Sequence, residues 1–150
     1  MKDLTKLFDD EEQRVHVIAD CVALVNAEVK SKSGLSGIAV KTAFGLVKAI
    51  KPNMIENAVN GLLDEWGEEL QKYYVRFQEE GENGNLERYL GARAGDVAEK
   101  LLSVTDKRAS TADSKTAAKA YKKLRPKGKL HVETAVPKLG KLLDKYTAQL

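Results

Sequence analysis

The stretch VHVIADCVALVNAEV, from Val15 to Val29, is the most apolar part of the chain and contains no glycine or proline. Wound as a helix, it places apolar side chains at i, i+3 and i+4 spacing on one face. These side chains are Val15, Ile18, Val22, Val25 and Val29, with Val17, Cys21 and Leu24 widening the face. The pattern predicts a helix from about residue 10 to about residue 31, capped by Asp9 or Asp10, at the centre of a helical domain.

Amphipathic patterns continue towards the middle of the chain. Ser36 is the candidate cap of a second helix, which ends at Lys51-Pro52 because the residue before a proline is pushed out of the helical region. A third helix is expected over about residues 55–78, with a bend or break near Gly67. The sequence GENGN, residues 81–85, indicates the turn that follows it.

The remaining sequence predicts further helices separated by short breaks. The expected segments are a short helix Leu86–Leu90, a helix Asp96–Ser110, a polar linker Thr111–Ser114, a basic helix Lys115–Leu124 ending at Arg125-Pro126, a tight loop Lys127–Lys129, and a last helix Leu130–Ala148. Pro137 should either kink this last helix or lie in a first turn, because it removes one backbone hydrogen bond. No stretch alternates strictly between apolar and polar residues, so no sheet is expected. The sequence therefore predicts an all-α fold, a compact bundle of six or seven helices forming a single domain over residues 1–150.

Size and composition narrow the class of protein. With 150 residues, 43% of them hydrophobic, the chain has the size of one domain with a real core. Cys21 is the single cysteine, so an internal disulfide is impossible and a reducing compartment is favoured. The N-terminal residues resemble no signal peptide, and the longest apolar stretch is too short to cross a bilayer. We expect a soluble, cytoplasmic protein.

The net charge of +3 is unevenly distributed. Residues 106–150 contain 12 Lys/Arg and 4 Asp/Glu, whereas residues 1–105 contain 13 and 18. Basic side chains crowd into one acid-free segment: Lys115, Lys119, Lys122, Lys123, Arg125, Lys127 and Lys129. This basic segment could contact anions or a nucleic-acid backbone, with little sequence preference because lysine outnumbers arginine.

Other interpretations of the basic segment remain open. It could be a solvated face, or it could pair with the acidic part of the chain, for example with Glu65, Glu68, Glu69, Glu79 and Glu80. Attachment to a membrane is not expected, because the helix around these lysines lacks a bulky apolar face.

Three small groups of residues are weak candidates for a metal site, a reactive cysteine and a phosphate-binding loop. Glu12, His16 and Asp20 share a helix face and could hold a metal ion, but a site needs further converging ligands, such as His131. Cys21 lies among valines, as a buried structural cysteine does, rather than beside an activating base. The residues 34–37, GLSG, precede a helix but lack the full phosphate-loop pattern.

An aromatic stripe lies on the predicted third helix. Trp66, Tyr73, Tyr74 and Phe77 have helical spacing. Such a stripe is typical of an ordinary core, and also of a dimer interface or a ligand pocket.

Several stretches resemble a family of small bacterial proteins of unknown function. The similarity spans nearly the whole chain and is most specific in LVNAEVKSKSGLSG, residues 24–37, and KLRPKG, residues 123–128. The resemblance implies a stand-alone, cytoplasmic, all-helical protein. It brings no activity, cofactor or functional residue.

No acid, base and nucleophile can be assembled into a catalytic site from these residues. We therefore expect no enzyme activity, no cofactor and no metal. The first hypothesis is a structural or interaction protein, for which a homodimer is one option, and the alternative is a nucleic-acid-associated protein acting through Lys115–Lys129.

Overall fold

A computed structural model describes residues 1–81, 84–111 and 113–150, except for the side chains at positions 36 and 50. A short 3-10 helix at Leu4–Phe8 precedes six α-helices: α1 Glu11–Ser31, α2 Gly34–Ile50, α3 Met54–Glu79, α4 Leu86–Gly91, α5 Ala94–Ser110 and α6 Lys115–Thr147. The described residues include no strand. The prediction of a compact all-α bundle is confirmed.

A side-chain cap marks the start of α1, whereas α2 begins without one. Asp10 caps α1 by accepting a hydrogen bond from the Gln13 N–H at 2.8 Å, as predicted. The predicted cap at Ser36 is wrong, because the extended residue that precedes α2 is Ser33. The Ser33 carbonyl accepts from the Gly37 N–H at 3.2 Å, which places Ser36 inside the first turn.

The expected break in the C-terminal third is absent. The predicted basic helix, the loop Lys127–Lys129 and the last helix form one continuous helix, α6, which includes Pro126 and Pro137. A proline removes only one backbone donor, and Pro126 is exposed, so water can bind the carbonyl left free. Arg125 also holds this turn against α5, because its Nε donates to Asp106 Oδ1 at 2.8 Å.

Helix α3 supplies much of the core. Tyr73, Tyr74 and Phe77 are buried, so the core interpretation of the aromatic stripe is confirmed for these three residues. The expected break near Gly67 is absent, since α3 continues through it. Gly67 instead accommodates Phe8, whose Cε2 would lie 2.3 Å from a Cβ at this position.

The inward face of α1 is rotated from the predicted one. Val17 is buried, whereas Val15, expected to point inward, is 60% exposed. At 100° per residue, Val15 lies about 120° from a face centred on Cys21. This rotation brings Glu28, a residue absent from the predicted face, into a buried position.

Packing differs between the two halves of α6. Its buried residues are Val136, Gly140, Leu143, Tyr146 and Thr147, all in the second half. There α4 approaches so closely that a Cβ at Gly140 would lie 2.6 Å from the Leu86 carbonyl oxygen. No residue between 115 and 135, all of which are described, is buried.

The start of α4 is fixed by a carboxylate from α6. Asp144 accepts hydrogen bonds from the backbone N–H groups of Leu86 and Glu87 at 2.8 and 3.0 Å. These are orphan donors of the helix start, where a negative charge is also favoured by the helix dipole.

Among the described residues, no helix combines the length and the apolar character that crossing a membrane requires.

Replacement of the two glycines of α6 by alanine should change the stability of the fold in opposite directions. Gly140→Ala should destabilise the fold by about 2 kcal/mol, because a Cβ there meets the backbone of α4. Gly128→Ala should stabilise it by up to about 1 kcal/mol, because nothing lies within 4 Å and alanine favours helix. Urea unfolding of the two variants measures both effects, and equal destabilisation would contradict the close approach of α4 and α6.

Candidate functional site

An apolar cavity of about 400 Å³ lies between α1, α2, α3, α5 and α6. Its walls are mostly aliphatic and aromatic, with Leu24 and Val25 on α1, Phe44 on α2 and Leu63 on α3 among them. The first half of α6 borders it through residues such as Leu124. The cavity therefore lies where α6 is least closely packed.

The apolar face of α1 is turned towards this cavity. Cys21, Leu24, Val25 and Val29 all line it, so they are only partly buried although they face inward. Burial in these apolar surroundings, with Asp20 beside it, raises the pKa of the Cys21 thiol to about 11. Cys21 is thus an unreactive wall residue at neutral pH, in agreement with the structural interpretation from the sequence.

The single tryptophan also lines the cavity. Trp66 Nε1 donates to the Leu101 carbonyl oxygen at 3.2 Å, which fixes the indole between α3 and α5. The predicted aromatic stripe thus divides, since Tyr73, Tyr74 and Phe77 belong to the core and Trp66 is in the cavity wall.

Charged residues meet at one side of the cavity, around the buried carboxylate of Glu28. Lys32 Nζ lies 3.2 Å from Glu28 Oε2, and Lys138 pairs with Oε1. Burial disfavours the charge of Glu28, but the hydrogen bonds from Lys138 and Lys32 outweigh burial and hold its pKa below the usual value. His131 also lines the cavity, and its pKa is lowered by burial and by the charge of Lys32.

Glu28 is a residue that the sequence argument missed, although the sequence contains a signal for it. It follows Cys21, Leu24 and Val25 at i+7, i+4 and i+3, so it falls on the apolar face. A carboxylate at such a position needs a partner, and Lys32 follows one turn later.

The basic segment divides into paired and exposed side chains. Arg125 forms a two-pronged contact with Asp106 and also lies 3.8 Å from Glu99, which Lys129 approaches at 3.5 Å. The acidic partners of these two residues are thus on α5 rather than among the glutamates named from the sequence. The other lysines are exposed on α6: Lys115, Lys119, Lys122, Lys123 and Lys127.

The Arg125–Asp106 contact also involves a tyrosine. Tyr121 donates a hydrogen bond to Asp106, and burial together with this bond raises the pKa of the phenol. The hydrogen bond from Arg125 lowers the pKa of Asp106. Arg125 and Tyr121 both line the cavity, so this network fixes α6 to α5 at its edge.

The candidate metal ligands do not come together in the described part of the chain, which contains no cluster of three or more His, Cys, Asp and Glu residues suited to a metal. Glu12 and His16 are exposed. Asp20 instead accepts hydrogen bonds from Tyr146 at 2.5 Å and Lys145 at 3.1 Å. His131 lies near Lys32, towards the opposite end of α1 from His16.

A second cavity of about 370 Å³ adjoins the first. It lies between α2, α3, α5 and the start of α6, and Phe44, Tyr121 and Leu124 border both cavities. Helix α2 therefore covers two open volumes. Among its described side chains only that of Val40 is buried.

The chain belongs to a family of unknown function, DUF6918, whose family model matches residues 4–147. No curated protein and no solved structure matches the chain. The resemblance seen in the sequence is thus confirmed at the level of a family of unknown function, and the geometry of the cavity is the main guide to function.

The thiol of Cys21 gives a direct probe of the cavity wall. Because its pKa is raised to about 11, the rate of alkylation should rise about tenfold for each pH unit from 7 to 10 without levelling off. The same chain in urea should level off near the ordinary value of 9.0. Iodoacetamide kinetics followed by mass spectrometry measure both, and a plateau near pH 9 in the folded protein would place Cys21 outside an apolar wall.

The Glu28 ion pairs should make stability depend on pH. Because the pKa of Glu28 is lower in the folded chain, its contribution is present above about pH 4.5 and is lost as the pH falls through the folded value. Glu28→Gln should therefore destabilise the protein by about 2 kcal/mol at pH 7. The difference from the wild type should shrink as the pH falls below about 4.5 and disappear once the Glu28 carboxylate is protonated in the folded chain. Urea unfolding across pH tests this, and a difference that is independent of pH would refute it.

Proposed function

We propose that the protein is a non-enzymatic binding protein that holds a hydrocarbon-chain ligand, such as a fatty acid, in the cavity between α1, α2, α3, α5 and α6. The observation that carries the proposal is the cavity itself, about 400 Å³ with walls formed mostly by aliphatic and aromatic side chains. Sites for small molecules have this size and character.

The apolar character of the walls supports an apolar occupant. Water that fills such a volume finds few hydrogen-bond partners, so a hydrocarbon chain that replaces it is favoured. A much smaller apolar cavity of about 150 Å³ stays free of water and binds benzene.

The charges at the cavity edge favour a ligand with one anionic end. Lys32 and Lys138 converge on the single carboxylate of Glu28, which leaves one positive charge in excess. Lys32 also donates to Thr134 Oγ1 at 2.8 Å, which holds its ammonium group close to α6. A carboxylate at the end of an alkyl chain matches this arrangement, because the chain meets apolar walls and the end meets an ammonium.

The surroundings of the polar wall groups support binding rather than catalysis. Arg125 and Glu28 are both held in ion pairs, and the Cys21 thiol has a raised pKa. The single cysteine agrees with a reducing compartment, so we place the protein in the cytoplasm.

Energy transfer from Trp66 tests the proposal. The indole lines the cavity, so a fluorescent polyene fatty acid bound there should quench its emission and gain emission of its own. Ala135 also lines the cavity, and Ala135→Phe should fill part of it and weaken binding at least about tenfold. The matched change Ala27→Phe, on the exposed side of α1, should leave binding unchanged.

The result that would contradict the proposal is an absence of energy transfer with the wild type, or equal binding by both variants. Thermal unfolding followed by circular dichroism confirms that each variant is folded.

A further inference from the structure

Helix α2 is apolar on the side that faces away from the bundle as well as on the side that faces it. Its inner side places Val40 and Phe44 against the cavity. On the outer side, Leu35, Ile38 and Leu46 are 88%, 63% and 53% exposed. A helix that is hydrophobic all round is normally buried, so another molecule is expected to cover this outer face.

The charge around this face has a single sign. Residues 33–55 contain three lysines and no acidic residue: Lys41, Lys48 and Lys51. Lys41 and Lys48 lie one above the other along the same edge of α2. The apolar outer face is therefore bordered by positive charge.

Helix α2 also contacts the basic half of α6. Lys32, at the end of α1, donates to Thr134 of α6 at 2.8 Å. Further along α2, Ala43 and Val47 border the second cavity together with residues 114–124 of α6. Helix α2 thus lies along the half of α6 that carries the exposed lysines. Leu130, one turn before Thr134, is 64% exposed among them.

We propose that this surface docks on an anionic phospholipid membrane, with the outer face of α2 among the acyl chains and the surrounding lysines on the lipid phosphates. An amphipathic helix binds a bilayer surface in this way when it combines buried aliphatic side chains with attraction to anionic lipid. The basic segment of α6 lacks the apolar face that membrane attachment needs, whereas α2 carries such a face.

The positive charge around the face favours a membrane over a second copy of the chain or a nucleic acid as its binding partner. Two copies of the chain joined through this face would bring lysines of like charge together, which is unfavourable. Nucleic acid would neutralise the lysines, but its phosphate backbone offers no apolar surface to Leu35, Ile38 and Leu46. A membrane with anionic lipid satisfies both the charge and the exposed aliphatic side chains.

The inference is independent of the cavity ligand, since it rests on the outer face of α2 and the cavity faces the inner one. Fatty-acid binding measured through Trp66 can therefore fail without affecting it.

Sedimentation of the full chain with vesicles tests the inference. The protein should bind vesicles that contain phosphatidylglycerol, bind phosphatidylcholine vesicles weakly, and dissociate as the salt concentration rises. Ile38→Glu should reduce binding to anionic vesicles at least about tenfold, because it places a negative charge in the apolar face. Val15→Glu is the matched control, since Val15 has the same degree of exposure but lies on α1.

Several results would overturn the inference. The first is no binding to anionic vesicles, and the second is equal loss of binding in both variants. A dimer in light scattering that Ile38→Glu dissociates, without vesicle binding by the wild type, would identify a second copy as the cover. Binding of duplex DNA in a mobility-shift titration, again without vesicle binding, would assign the lysines to nucleic acid. Thermal unfolding shows whether Ile38→Glu remains folded, and Leu46→Glu provides a second change on the same face.

Discussion

The close approach of the α4 backbone to Gly140 holds the second half of α6 in place. Only a residue without a Cβ allows the backbone of Leu86 and Glu87 to lie against α6 at this point. Asp144, one turn later, then caps the start of α4. These contacts fix the second half of α6. Tyr146, in the same half, connects it to α1 by donating a hydrogen bond to Asp20.

The first half of α6 lacks any comparable approach, and the open volumes follow from this difference. It is held to α5 mainly by the polar network of Asp106, Tyr121 and Arg125 rather than by buried apolar side chains. Because the first half of α6 is packed loosely, a space remains between α6 and α1. Helix α2 covers this space from outside. The two cavities are therefore consequences of one packing asymmetry.

Periodicity and capping predicted most of the fold because they are local properties. The bounds of α1, the end of α2 at Ile50 and the all-α class follow from the order of apolar residues and from Pro52. The continuity of α6 through Pro126 could not be predicted in this way. The backbone cost of a proline is visible in the sequence, whereas the contact of Arg125 with Asp106, nineteen residues earlier, is not.

The candidate site could be predicted from the sequence less completely than the fold. The apolar face of α1 was predicted, with Val15 wrongly included, but an apolar pattern cannot distinguish a filled core from a cavity wall. Cys21 and Trp66 look like ordinary core residues in the sequence and line the cavity in the structure. Glu28 had a recognisable signal, a carboxylate on an apolar face, while its second partner, Lys138, is 110 residues away.

Hydrogen exchange at single-residue resolution tests the packing asymmetry most directly. The account predicts slow exchange, limited by global unfolding, for the amides of α6 from Val136 to Tyr146 and for the buried part of α3. It predicts faster exchange, through local opening, for α2 and for residues 115–130. Uniform protection along the whole of α6, equal to that of α3, would contradict it.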